Sequence, residues 1–73
     1  MIKVYTKNNC MPCKMTKQWL KNNGVDFKEV NVEDNLEAFN KLVEMNLRTL
    51  PVVFKEYELI AMGFQPQNLK GLI

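Results

Sequence analysis

The sequence predicts an α/β fold in which a four-stranded mixed sheet is flanked by helices, in the element order βαβαββα. Three observations predict it. A strand-like alternation at residues 2–6 passes through a short polar turn into a helical pattern, long enough to be the crossover between two parallel strands. A second strand and a second helix follow over residues 25–45. Two short apolar runs, 52–54 and 57–61, then lie close enough together for an antiparallel hairpin.

The first strand, residues 2–6 (Ile-Lys-Val-Tyr-Thr), alternates and carries β-branched and aromatic side chains. Lys7-Asn8-Asn9 is a polar turn leading to Cys10. The first helix is expected from Met11 to Asn23, with Pro12 in its first turn, where a missing N–H costs nothing. Cys13, Thr16, Trp19, Leu20 and Asn23 share its inward face, Lys21 lies in the last turn and Gly24 supplies the stop. Residues 25–32 form the second strand, although its alternation slips a phase near Glu29. Asp34 or Asn35 can cap a second helix from Leu36 to Met45, with Leu36, Phe39, Leu42 and Val43 expected to face inward. Val52-Val53-Phe54 is a short buried strand, Tyr57 to Ala61 its partner, and a short last helix begins at Pro66.

Seventy-three residues make a single domain, 1–73, with room for one core. Chains this small bury only about 60% of the surface they expose when unfolded. With two cysteines and no histidine, neither a disulfide framework nor an ordinary zinc cage can be built within one chain. The 47% of hydrophobic residues must therefore supply the core. The formal charge of +2 is mild and the lysines are interspersed with acidic residues, so no basic run points to nucleic acid or an anionic membrane. No apolar stretch approaches the roughly 20 residues that span a bilayer. The chain begins in a strand-like pattern rather than a signal-peptide core, and the expected compartment is the cytoplasm. There a close cysteine pair is catalytic or metal-binding more often than structural.

Cys10-Met11-Pro12-Cys13 is the strongly chemical feature. Two intervening residues at a helix start hold the sulfurs close enough to bond and leave Cys10 at the exposed N-terminal end. Unpaired backbone N–H groups and the positive end of the helix dipole there favour a thiolate, the species that attacks disulfides. Cys10 is thus the expected nucleophile. Cys13, one turn further in, is placed to resolve the mixed disulfide. Pro12 has no N–H, so a main-chain bond to the Cys10 sulfur should come from Cys13. Lys7 and Lys14 can add favourable charge. Two other uses of the pair are weaker. A structural disulfide closing so short a loop removes little chain entropy. A zinc site would need ligands from a second chain.

Leu50-Pro51 precedes a buried strand, where proline is a poor hydrogen-bonding choice. From the residues alone it is either a plain trans strand-entry proline or a cis bond that presents backbone groups to the dithiol. Here the chain resembles a known family. The strand Val4-Tyr5-Thr6-Lys7, the motif Cys10-Met11-Pro12-Cys13-Lys14 and the stretch Leu50-Pro51-Val52-Val53 resemble the glutaredoxin branch of the thioredoxin superfamily, over essentially residues 1–70. Within it the chain looks most like the NrdH-type redoxins, glutaredoxin-shaped proteins that behave like thioredoxins. Glutaredoxins usually carry a Gly-Gly pair followed by an acidic residue that helps to hold glutathione. Here the corresponding stretch is Ala61-Met62-Gly63-Phe64-Gln65-Pro66-Gln67. It is similar to the NrdH-type Ser-Gly-Phe-Arg-Pro-Asp at Gly63, Phe64 and Pro66, and departs from it at Met62, Gln65 and Gln67.

The resemblance implies a thioredoxin-like, glutaredoxin-type fold and a cis Pro51, with substrate backbone pairing beside Leu50 as in strand addition. The residues expected to meet the substrate are Met11, Pro12, Thr49, Leu50, Pro51, Gly63 and Phe64. Phe64 and Met62 either rim the dithiol or belong to the core. Thioredoxins have a buried acidic residue on an inner strand. The comparable position here is Val4, so proton transfer at the resolving thiol is left to water or another group, with Thr6 and Thr49 as polar candidates. The implied function is a small monomeric dithiol–disulfide electron carrier with no bound cofactor, recharged by thioredoxin reductase at the expense of NADPH. Its implied acceptor is class Ib ribonucleotide reductase. The alternatives are a glutathione-dependent glutaredoxin and a metal-bridged module using both cysteines as ligands.

Overall fold

A computed structural model describes all 73 residues. The elements follow the expected order: β1 (Ile2–Thr6), α1 (Met11–Asn22), β2 (Lys28–Asn31), α2 (Leu36–Glu44), β3 (Val52–Lys55), β4 (Glu58–Met62) and α3 (Pro66–Leu69), with a 3₁₀ turn at Lys70–Leu72. The sheet order is β2-β1-β3-β4. β1 pairs with β2 in parallel and with β3 antiparallel, and β3 pairs antiparallel with β4. It is the mixed thioredoxin-like sheet that the sequence predicts.

The second strand starts three residues later than expected, because the first of those residues, Val25, is bonded into the ending of α1. Gly24, at φ +69°, sends its N–H to the Lys21 carbonyl at 3.2 Å, and the Val25 N–H reaches the Leu20 carbonyl at 2.9 Å. This paired C-terminal lock leaves Val25 packed under the helix instead of in the sheet. Of the face assigned to α1, Cys13, Thr16 and Leu20 are buried and Trp19 is half-buried, whereas Asn23 is exposed and bonds back to the Trp19 carbonyl through Nδ2.

The larger departure is α2. Its cap is Asn35, whose Oδ1 accepts the Ala38 N–H at 3.0 Å. Ala38 and Leu42 are the residues it buries, while Leu36, Phe39 and Val43 are 71%, 47% and 52% exposed. Only Leu42 of the expected inward set faces the core. The apolar side chains form a stripe broader than the helix can bury, with Ala38 and Leu42 at one edge and Leu36 and Val43 at the other, so periodicity alone does not choose its buried side. The exit decides it: Asn46, at φ +59°, and Leu47 bond back to the carbonyls of Val43 and Leu42, which carries Leu47 into the core behind Leu42.

The sheet separates two apolar layers. Val4, Leu20, Val53, Ala61 and Leu69 form the layer under α1 and α3, and Tyr5, Val32, Ala38, Leu42, Val52 and Phe54 the layer under α2. The strand directions bring four chain segments to one end of the sheet. β1, β2 and β4 leave there and β3 enters there, since Tyr5 is opposite Val52, Thr6 beside Asn31, and Val52 opposite Met62. Cys10, Pro51 and Gly63 all lie on segments that meet at this end.

Candidate active site

Cys10 is the N-cap of α1, with extended backbone (φ −116°, ψ 105°), and its carbonyl accepts the Lys14 N–H at 3.1 Å. It is disulfide-bonded to Cys13, with the two Cα atoms 5.2 Å apart. The Cys13 N–H donates to the Cys10 sulfur at 3.3 Å, the bond expected once Pro12 removes the alternative donor. A sulfur in this position faces the open end of a 12-residue helix, where a negative charge gains about 0.3–1 kcal/mol. Contrary to the exposed position expected for it, Cys10 is only 5% exposed, and Cys13 1%. The reason is local: the Cys10 backbone closes the helix start, and its sulfur is turned inward onto Cys13.

The approach to Cys10 is held by amides. Asn9 adopts φ +54°, a left-handed conformation that asparagine tolerates well. Asn8 donates from its backbone and side chain to the two Glu33 carboxylate oxygens at 3.1 and 2.9 Å, and accepts from Asn31 Nδ2 at 2.8 Å. The turn after β1 is thereby clamped to the turn after β2.

Across the same end of the sheet, the Leu50-Pro51 bond is cis, as the resemblance implied. Pro51 is buried, and its carbonyl accepts the Gly63 N–H at 2.7 Å. A side chain on Gly63, which has φ +78°, would stand 3.6 Å from the Thr49 methyl. Thr49, Pro51 and Gly63 are thus brought together. Leu50 instead packs partly into the α2 layer, and half-buried Phe64 joins the α1 layer, so Phe64 belongs to the core more than to a rim. Met11 and Met62 are 64% and 41% exposed, and Pro12 is exposed beside Met11. Gln65 closes this loop with a neutral side chain: its Oε1 accepts the Met62 N–H at 3.0 Å and an Asn68 Nδ2–H at 3.2 Å.

A polar pocket of about 450 Å³ opens onto both cysteines, lined also by Lys7, Lys14, Lys17 and Glu29. Lys7 and Lys14 were singled out from sequence; Lys17 and Glu29 were not. Glu29 Oε2 accepts from Lys17 Nζ at 2.9 Å and from the Thr6 hydroxyl at 2.7 Å. The Lys17 hydrogen bond, reinforced by that of Thr6 and by the charges of Lys17 and Lys21, holds the Glu29 carboxyl below its ordinary range against the opposing effect of partial burial. The available signal was register: parallel pairing that sets Val4 beside residue 29 puts Glu29 on the face under α1. Thr16, fully buried one turn beyond Cys13, leaves its hydroxyl without a partner. No group of three or more His, Cys, Asp or Glu side chains is placed to hold a metal ion, and no helix is long and apolar enough to cross a membrane.

Comparison with known proteins agrees with this geometry. The glutaredoxin family profile matches residues 2–60. The glutaredoxin-like protein NrdH of Lactococcus lactis subsp. cremoris (strain MG1363) is 42% identical over 72 residues, covering 99% of each chain. The solved structure of the Escherichia coli NrdH-redoxin, a protein described as having a thioredoxin-like activity profile, superposes with a TM-score of 0.93 at 36% identity, over 99% of this chain and 93% of that one. The crystal structure of the thioredoxin-like protein BC3987 gives 0.88 at 34% identity over the whole of both chains.

Proposed function

This chain belongs to the glutaredoxin family, as an NrdH-type redoxin whose redox centre is the Cys10–Cys13 disulfide, and we propose that it carries electrons from thioredoxin reductase to protein disulfides, foremost that of a class Ib ribonucleotide reductase. The observation that carries the reading is the helix-start disulfide with the Cys13 N–H on the Cys10 sulfur. In the reduced protein Cys10 is the thiolate. It attacks one sulfur of the target disulfide and the other target sulfur leaves with the bonding pair. Cys13, as a thiolate, then attacks Cys10, re-forming the intramolecular disulfide and releasing the second target thiolate, so two electrons pass to the target. Reduction by the reductase, with NADPH as the ultimate donor and no cofactor held by the redoxin, resets the pair. Substrate backbone lies along Leu50 and the cis Pro51, flanked by Thr49 and Gly63, with exposed Met11 and Pro12 as neighbouring apolar contacts and Phe64 supporting them from the core. On this reading residues 1–73 are one domain acting as a monomer in the cytoplasm, with no nucleic-acid or membrane partner.

The thioredoxin-like profile of the Escherichia coli relative supports a thioredoxin-reductase donor. The segment from Ala61 to Gln67 contains no acidic residue to engage the amino group of glutathione. The test is NADPH oxidation with a protein disulfide as acceptor, run once with thioredoxin reductase and once with glutathione and glutathione reductase. Turnover with thioredoxin reductase alone is expected. Turnover with glutathione alone would make the chain a glutathione-dependent glutaredoxin.

A further inference from the structure

The thiol–disulfide steps leave the one carboxylate of the dithiol pocket without a role. Val4, on the strand beneath α1, is apolar and wholly buried, so that strand offers no titratable side chain at this position. Its register partner on β2 is Glu29. Side chains at paired positions share a sheet face, so the carboxylate arrives from the adjacent strand on the side that α1 covers. There it lines the same pocket as the two cysteines.

Two hydrogen bonds fix its position. Thr6, fully buried at the end of β1, donates to Oε2, and so does Lys17. Lys17 is the i+4 neighbour of Cys13 on α1. Along the helix axis it is about 6 Å beyond Cys13 and about 10 Å beyond Cys10. The carboxylate is therefore anchored by a residue one helical turn from Cys13 and nearly two from Cys10. The cations not committed to it, Lys7 and Lys14, line the pocket with no acidic partner within salt-bridge reach.

We propose that Glu29 is a positioning residue for the dithiol: its carboxylate holds Cys13 as a thiol while Cys10 carries the thiolate that opens the reaction. A nearby negative charge raises the proton affinity of a thiol, and the effect is largest where little water intervenes, as at Cys13. Cys10 has the helix start and the Cys13 N–H to favour its anion, and Cys13 has neither. In the resolving step the Cys13 proton passes to water, its sulfur pair forms the bond to Cys10, and the target sulfur leaves with the pair of the broken bond. The carboxylate opposes that proton loss, so it sets the pH at which resolution becomes fast. Lys17 and Lys21 from α1 and the Thr6 hydroxyl from β1 face Glu29 and keep it ionised, and Lys7 and Lys14 act on the thiols in the opposite sense.

The inference rests on the dithiol chemistry and not on which reductase or target the protein serves. It is tested by following thiolate absorbance against pH in the reduced protein and in Glu29→Gln, whose amide oxygen still accepts from Thr6. Cys13 should titrate about one pH unit lower in the variant, with Cys10 moved less. The rise of the resolution rate with pH should shift downward by the same interval. In the unaltered protein the Glu29 carboxyl resonance should respond as Cys13 ionises, since the coupling is mutual. A Cys13 titration left in place or moved upward in Glu29→Gln, or a Glu29 resonance indifferent to Cys13, would overturn it.

Discussion

The two faces of the sheet are built to different standards. Under α1 and α3, Val4, Thr16, Leu20, Val53 and Leu69 are wholly buried, and the disulfide continues that layer to its open end. Under α2 the helix commits only Ala38 and Leu42, turns Leu36, Phe39 and Val43 to the surface, and leaves a groove of about 1340 Å³ against β1 and β2. That groove is the larger concavity, yet neither cysteine lines it. Size does not locate the chemistry here. The dithiol is on the face whose first helix buries Cys13, Thr16 and Leu20 against the sheet, and the face under α2, where the helix buries only Ala38 and Leu42, is a cover.

The contrast can be broken by substitution. Leu20→Ala, which empties a fully enclosed site under α1, should cost about 3 kcal/mol in denaturant unfolding. A loss below about 1 kcal/mol would mean that this layer is as forgiving as the other. Thr16→Val sharpens the point from inside the same layer, because it removes a buried hydroxyl that has no partner. A gain of up to about 1 kcal/mol is expected, with disulfide-reducing turnover kept. A loss of turnover with stability kept would give that hydroxyl a part in the chemistry.

A smaller effect comes from Glu29. The Lys17 hydrogen bond holds its carboxyl below the ordinary glutamate range, so the ion pair contributes stability above that range and loses it as pH falls through the ordinary value and then through the lower folded one. The side chain is 38% exposed, and solvent screening keeps the contribution below about 1 kcal/mol. Unfolding followed from neutral to acid pH should therefore show a shallower decline in Glu29→Gln than in the unaltered protein. On the loose face, Leu36→Ala should change stability by less than about 0.5 kcal/mol, as for an ordinary surface position. A larger loss would show α2 more firmly seated than its exposed side chains indicate.

How far the sequence could be read follows the same division. The dithiol face was legible because its signals are local: Pro12 and Cys10 mark a helix start, Gly24 an end, and the spacing of Cys13, Thr16 and Leu20 one buried stripe. The α2 face was not, because Leu36, Phe39, Leu42 and Val43 offer an apolar stripe of which the chain buries only Leu42. Its buried side is decided by the Asn46–Leu47 turn, a tertiary constraint. Glu29 escaped notice for a related reason. Its place in the pocket depends on strand register, and the slip in alternation there left its face undecided. The cis Pro51 came from family resemblance, since no local preference separates it from a trans strand entry.

The division of labour between the two cysteines is tested most directly by mass spectrometry of trapped intermediates with an oxidised protein substrate. Reduced Cys13→Ser should accumulate a mixed disulfide at Cys10, and reduced Cys10→Ser should form none and show no turnover. An adduct that builds up on Cys13 in the Cys10→Ser protein, or full turnover by Cys13→Ser with thioredoxin reductase as donor, would contradict the two-thiol mechanism.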